Sequence, residues 1–209
     1  MTLPYHLPED IETRSMLIIS EELGETDLSE PELIILKRVI HASADFDYAR
    51  NLVFQNHAVA AGLHALRAKA TIVTDTTMAL SGISKPTASR LGISLQCYIG
   101  DPEVARLAKE QGTTRSVASA NLLPITPGPL IAVVGNAPTA LIRIAELIEA
   151  GELSPALVIG VPVGFVNVVE SKELIQSTGI PCIVARGRKG GSNVAAAIVN
   201  ALMYQLDRV

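Results

Sequence analysis

The second half of the chain constrains the fold most. Three aliphatic runs, "LIAVVGN" (130–136), "ALVIGVP" (156–162) and "PCIVARG" (181–187), alternate with three helical patterns, "APTALIRIAELIEAG" (137–151), "NVVESKELIQSTG" (167–179) and "GSNVAAAIVNALMYQL" (191–206). Short runs that stay apolar without alternating belong to strands buried on both faces. Gly151 and Gly179 close the first two helices. Strand–helix–strand repeats of this kind imply an α/β fold: a mostly parallel sheet with right-handed crossovers, flanked by helices. Aromatic residues make up only 3% of the chain and tryptophan is absent, so Ala, Val, Ile and Leu must fill the core.

Upstream the same logic continues. "ATIVTD" (70–75) and "SLQCYIG" (94–100) read as strands, and "DPEVARLAKEQG" (101–112) as a helix capped by Asp101, with Pro102 at its first position and Gly112 at its end. "TTRSVASANLL" (113–123) continues as a second helical piece. Before residue 69 the pattern is helical throughout, over 8–22, from Ser29 onward, and roughly from Asn56 to Ala68. The expectation is one domain over 1–209, with a helical N-terminal part (1–68) and a sheet part (69–209).

The net charge of −4 argues against a nucleic-acid partner. Cys97 and Cys182 fall inside apparent strands, and neither a disulfide framework nor metal-ligand spacing is present. The start, "MTLPYHLPEDIETRS", has no apolar signal core, and no apolar run reaches the roughly 18 residues that would suggest a membrane span. A cytoplasmic chain without a protein-bound metal is expected.

Ligands of open α/β sheets bind beyond the carboxyl ends of the strands, so the loops there carry the chemistry. In "VGNAPTA" (134–140), Gly135 and Asn136 end a strand and Pro138 starts a helix, and their N–H groups would suit a carboxylate or phosphate, or simply form a turn. "RGRKGGSN" (186–193) sets Arg186, Arg188 and Lys189 before two glycines and a capping Ser192, which fits an anion site for several carboxylates or a solvated basic turn. It lacks the order of either phosphate-loop fingerprint. "GVPVGFVNVVESKE" (160–173) offers glycine and proline backbone to a flat ligand, with Glu170 and Lys172 read as helix-surface residues. "TTRS" (113–116) groups Arg115 with Thr114 and Ser116 as a carboxylate clamp or as ordinary capping. His6, His57 and His64 show no partner spacing.

The segment "SEPELIILKRVIHASADFDYARNLVF" (29–54) begins as an amphipathic helix, with Ser29 as N-cap, Glu32 completing a capping box and Pro31 in the first turn. Lys37, Arg38 and His41 follow near its far end. Cations there favour the helix dipole. Arg38 and His41 also share a face, and Asp45 would orient the imidazole if the helix ran that far. The segment alone leaves both readings open.

Seven collinear segments together resemble the precorrin-8X methylmutase (precorrin isomerase) family: "RSMLIISEE" (14–22), "VIHASADFDYARNLVF" (39–54), "TIVTDTTMALSGI" (71–83), "TTRSVAS" (113–119), "GNAPTAL" (135–141), "GVPVGFVNVVESKELI" (160–175) and "RGRKGGSNVAAAIVNAL" (186–202). The resemblance implies a cofactor-free isomerase of cobalamin biosynthesis that moves a methyl group from C-11 to C-12 of precorrin-8X or cobalt-precorrin-8, any cobalt belonging to the substrate. It implies His41 as proton donor, and Arg14, Ser15, Arg38 and Arg115 in the site. Thr114, Ser116, Asn136, Arg186 and Lys189 complete the expected substrate-binding set. It also implies a homodimer with the active site near the interface. This chain reads "GTTRS" where family sequences often read "GNTRS", so a side-chain contact at Thr113 is not carried over. Nucleotide- and S-adenosylmethionine-dependent enzymes lack support here because the glycine fingerprints are missing. A non-catalytic tetrapyrrole carrier remains the alternative.

Overall fold

The structure, a computed structural model, describes residues 8–207. His6 therefore lies outside the described residues. In chain order the elements are α1 (Pro8–Leu23), α2 (Glu30–Ser43), α3 (Tyr48–Asn51), β1 (Leu52–Gln55), α4 (Ala58–Arg67), β2 (Thr71–Thr74), α5 (Thr77–Gly82), α6 (Lys85–Leu91), β3 (Ser94–Gln96), α7 (Pro102–Glu110), α8 (Arg115–Ala120), a 3₁₀ turn (Leu123–Ile125), β4 (Leu130–Val134), α9 (Pro138–Glu149), β5 (Leu157–Gly160), α10 (Val168–Ser177), β6 (Cys182–Ala185) and α11 (Ser192–Asp207).

The six strands form one sheet in the order β1-β6-β5-β4-β2-β3. All neighbours are parallel except β1, which pairs antiparallel with β6 from Leu52↔Ala185 to Gln55↔Cys182. The mostly parallel sheet is as expected. Successive side chains alternate between two cores. Ile131, Val133, Leu157, Ile159 and Ile183 pack with α2, α4 and α11. Ala132, Val134, Val158 and Val184 pack with α9 and α10. Because both faces are covered, the central strands are buried at every position, which is why they read as unbroken aliphatic runs.

Three expectations are corrected. The N-terminal part is not wholly helical, since it supplies the edge strand β1. The helix from Ser29 stops at Ser43, where Ala44 turns left-handed (φ 53°) and donates its N–H to Ile40. Asp45 then takes the N–H of Asp47 at 3.0 Å and holds the turn open. The strand from 94 ends at Gln96, so Cys97 lies beyond it, while Cys182 does open β6. The capping box of Ser29 and Glu32, the Asp101 cap and the stops at Gly112, Gly151 and Gly179 are all present.

Candidate active site

The sheet order reverses between β2 and β4: from β2 the chain moves outward to β3, then returns to the other side of β2. The crevice beyond their carboxyl ends is the usual ligand position in such folds. Here it is filled from inside. Asp75, one residue past β2 and buried, accepts N–H bonds from Gly135 (2.9 Å), Asn136 (2.8 Å) and Ala137 (2.8 Å). Of the two readings of "VGNAPTA", an anion site or a turn, the amides bear out the turn, because the protein's own carboxylate occupies them. Burial pushes the Asp75 pKa up, and the three N–H donors oppose that shift. Gly135 is required because a Cβ there would meet the Ser192 backbone at 2.8 Å. Sequence reasoning did not single out Asp75. The available signal was a lone acid ending a buried aliphatic strand, where only a dense donor set makes burial affordable.

With the turn locked, Asn136 keeps its side chain exposed at the rim. Beside it, Thr114 caps α8 by accepting from Val117 N–H at 3.2 Å and touches Thr139 of α9 across 3.5 Å. Arg115 is exposed at the first position of α8, and Ser116 is half-buried near Asp75. Capping and rim placement therefore coexist at "TTRS".

Past β5 the chain exposes Val163, Phe165 and Val166, and Met78 is exposed in the α5 segment past β2. This is an apolar lip at the strand ends. Arg188 lies over the Phe165 ring at 5.3 Å. Arg186 is exposed directly past β6, and its backbone N–H is anchored to Asn51 O at 2.8 Å. Ser192 opens α11, and its hydroxyl meets that of Thr76 at 2.9 Å. Glu170 is exposed, as expected. Lys172 is not a surface residue: it is 1% exposed and sends its Nζ to Gly187 O (2.8 Å) and Lys189 O (2.9 Å).

The end of α2 reaches this loop. Asn193 Nδ2 donates to Ala42 O at 3.4 Å, and Lys189 Nζ lies 2.6 Å from both Asp45 and Asp47. The Asp45 carboxylate holds the Lys189 ammonium above its usual pKa, and Lys189 holds Asp45 below its own. Asp45 thus serves Lys189 and not His41, which corrects the orienting role expected for it. His41 stands exposed in the last turn of α2.

Three expected residues sit apart from the strand ends. Arg38 pairs with Glu12 at 2.6 Å and stacks over Tyr204 at 5.3 Å. Arg14 is exposed on α1, and Ser15 donates its hydroxyl to Ile11 O at 2.7 Å. An open cleft of about 500 Å³ runs between α1 and α2, lined by Glu12, Met16, Leu17, Lys37 and Arg38 among others. It lies off the strand ends, where the chemistry-bearing loops converge. His57 and His64 are exposed on and beside α4. Among the described residues, no three His, Cys, Asp or Glu side chains gather as metal ligands, and no helix is long and apolar enough to cross a membrane.

A switch-point crevice closed by its own carboxylate leaves no slot for a dinucleotide. Cations and apolar side chains stand outside it on the rim, an α/β arrangement whose chemistry suits a broad anionic ligand across the strand ends. A family model described as precorrin-8X methylmutase matches residues 10–205. The cobalt-precorrin-8 methylmutase of Salmonella typhimurium is 46% identical over 205 residues, covering 95% of this chain and 96% of the relative. The precorrin-8X methylmutase of Pseudomonas aeruginosa is 43% identical over 176 residues, covering 81% and 82%. The crystal structure of precorrin-8x methyl mutase from Thermus thermophilus superposes with a TM-score of 0.86 at 38% identity, covering 94% of this chain and 95% of that one. The chain belongs to the precorrin-8X methylmutase family, isomerases of cobalamin biosynthesis.

Proposed function

We propose that this enzyme moves the methyl group of precorrin-8X, or of cobalt-precorrin-8, from C-11 to C-12, giving hydrogenobyrinate or cobyrinate. The reaction is intramolecular: one carbon–carbon bond breaks, another forms on the neighbouring ring carbon, and the conjugated system rearranges. No methyl donor, oxidant or cofactor is consumed, and cobalt, where present, arrives with the substrate. The observation that carries this reading is the family match across residues 10–205.

His41 is the proton donor in this reading. Its exposure at the open end of α2, tied by Asn193 and Lys189 to the arginine-bearing loop, supports that role. Imidazole is the side chain type best suited to general acid work near neutral pH. Arg115, Arg186 and Asn136 meet peripheral carboxylates, with Thr114 and Ser116 beside them. The apolar lip of Val163, Phe165 and Val166 packs on the flat macrocycle. Arg14, Ser15 and Arg38 stand on α1 and α2, away from the strand ends, and their part in binding fits a site completed in a homodimer. Lys189 reaches the substrate only if it leaves Asp45 and Asp47, so its main work is to hold the loop to α2.

The test is to mix the protein with precorrin-8X and with cobalt-precorrin-8 in separate cuvettes and follow the visible spectrum. Conversion to the corrin chromophore, abolished in His41→Ala, supports the isomerase. Binding without conversion in either cuvette returns the carrier reading and sinks this one.

A further inference from the structure

The mechanism above makes no use of Lys172, although it is the largest of the fully buried side chains. No carboxylate among the described residues pairs with it, and its ammonium is met by two loop carbonyls, Gly187 O at 2.8 Å and Lys189 O at 2.9 Å. Burying a charge in this way is costly, and an apolar side chain of similar length would fill the space more cheaply. The cost shows in the pKa, pushed down to about 8 by burial. Packing alone therefore does not account for a lysine here.

What the lysine does is set backbone direction. A trans peptide points its C=O and N–H to opposite sides. With the carbonyls of Gly187 and Lys189 drawn toward Lys172, the N–H groups of Arg188 and Gly190 face away from it. Among the described residues no acceptor takes either N–H. The intervening carbonyl, Arg188 O, is held separately by Gly164 N–H at 3.2 Å. Gly190 is pressed against the end of β5, where a Cβ would fall 2.1 Å from Val161 O. The loop is thus held from below by Lys172 and from the side by Lys189 on Asp45 and Asp47. Those two aspartates follow directly on the turn that ends α2, the helix of His41.

We infer that Lys172 is a positioning residue: by taking two carbonyls of the β6–α11 loop, it sets how Arg186 and the outward amides bind the carboxylates of the substrate. The inference rests on the proposed isomerase reading for its substrate and on the loop geometry for the rest.

Lys172→Met keeps length and volume while removing the donors. It is expected to raise KM, and the Kd for hydrogenobyrinate followed by its visible absorbance, by about tenfold or more, the loss of one charge-assisted contact set. Turnover at saturating substrate stays within about threefold, because His41 is untouched. Lys172→Gln, which keeps an N–H donor without the charge, recovers part of the affinity. It also serves if the Met variant fails to fold. A purely structural lysine would alter the melting temperature and leave KM alone. Hydrogen–deuterium exchange of the peptide covering 186–191 gives a readout independent of substrate, and it should quicken in both variants, more so with Met. Unchanged exchange together with unchanged Kd overturns the inference. If the unaltered protein neither binds nor converts the corrinoid while exchange still quickens, the isomerase reading fails and the positioning of the loop by Lys172 stands.

Discussion

His41 sits in an unremarkable place, the last turn of a helix, where a cation needs no further reason to be. The sequence marks it only through the resemblance of the segment around it. The separating measurement is turnover against binding: His41→Ala should lower kcat by about 10²–10⁴-fold with product binding within a few-fold, as expected for loss of a general acid. Equal turnover would make the imidazole a helix-end cation. Asp75 is the opposite case, invisible to motif reading and central in the structure. Its alanine variant strands the N–H groups of Gly135, Asn136 and Ala137, at about 1–3 kcal/mol for each of the two buried donors, Gly135 and Ala137. A lost or sharply lowered thermal transition is expected, and a melting temperature within a degree of the parent would refute the anchoring role. Lys172 carries a signed pH prediction. Its amine titrates near 8 when folded and near its ordinary 10.5 when unfolded, so between these values the unfolded chain binds the extra proton. The penalty of burying the charge is full below pH 8 and fades as pH rises to 10.5. Lys172→Met should therefore be most favourable to stability near neutrality, with the advantage shrinking by on the order of 2–3 kcal/mol across that window. Urea unfolding at several pH values measures it, and a constant difference rejects it.

Among the elements, the central parallel strands and the helices between them were legible because burial on both faces leaves an aliphatic run, and glycine marks each helix end. β1 was not legible. It is four residues long, lies directly after α3 and shows no alternation, since its identity comes from pairing with β6. The end of α2 was misread for a related reason. A left-handed alanine and an aspartate turn stop it, without the glycine or proline that usually announces a stop. In the loops, residue types were legible and their partners were not: "GNAP" looked open to a ligand, yet its amides are bound to Asp75, which lies sixty residues earlier in the chain. The close approach of these elements predicts the effect of adding one methyl group. Gly190→Ala would drive a Cβ into the Val161 carbonyl at 2.1 Å, and Gly135→Ala into the Ser192 backbone at 2.8 Å. Each should cost about 1–3 kcal/mol or more of stability by thermal unfolding, the Gly190 change being the worse because its Cβ would lie at 2.1 Å from backbone rather than 2.8 Å.

At the scale of the molecule, the homodimer implied by family resemblance predicts sedimentation at twice the 22.1 kDa chain mass, and a monomer that turns over substrate would remove it from the mechanism. The edge strand has a consequence for the order in which the protein takes shape. β1 is made early, yet its partner among the described residues, β6, is made near the end, with Leu52 meeting Ala185. α2 likewise packs against α11, the last helix. On the ribosome, the histidine-bearing segment therefore waits, its apolar side uncovered, until nearly the whole chain has emerged. Contacts so distant in sequence slow folding. A chain cut short before its last strand and helix therefore leaves β1 and the apolar side of α2 without the elements they pack against.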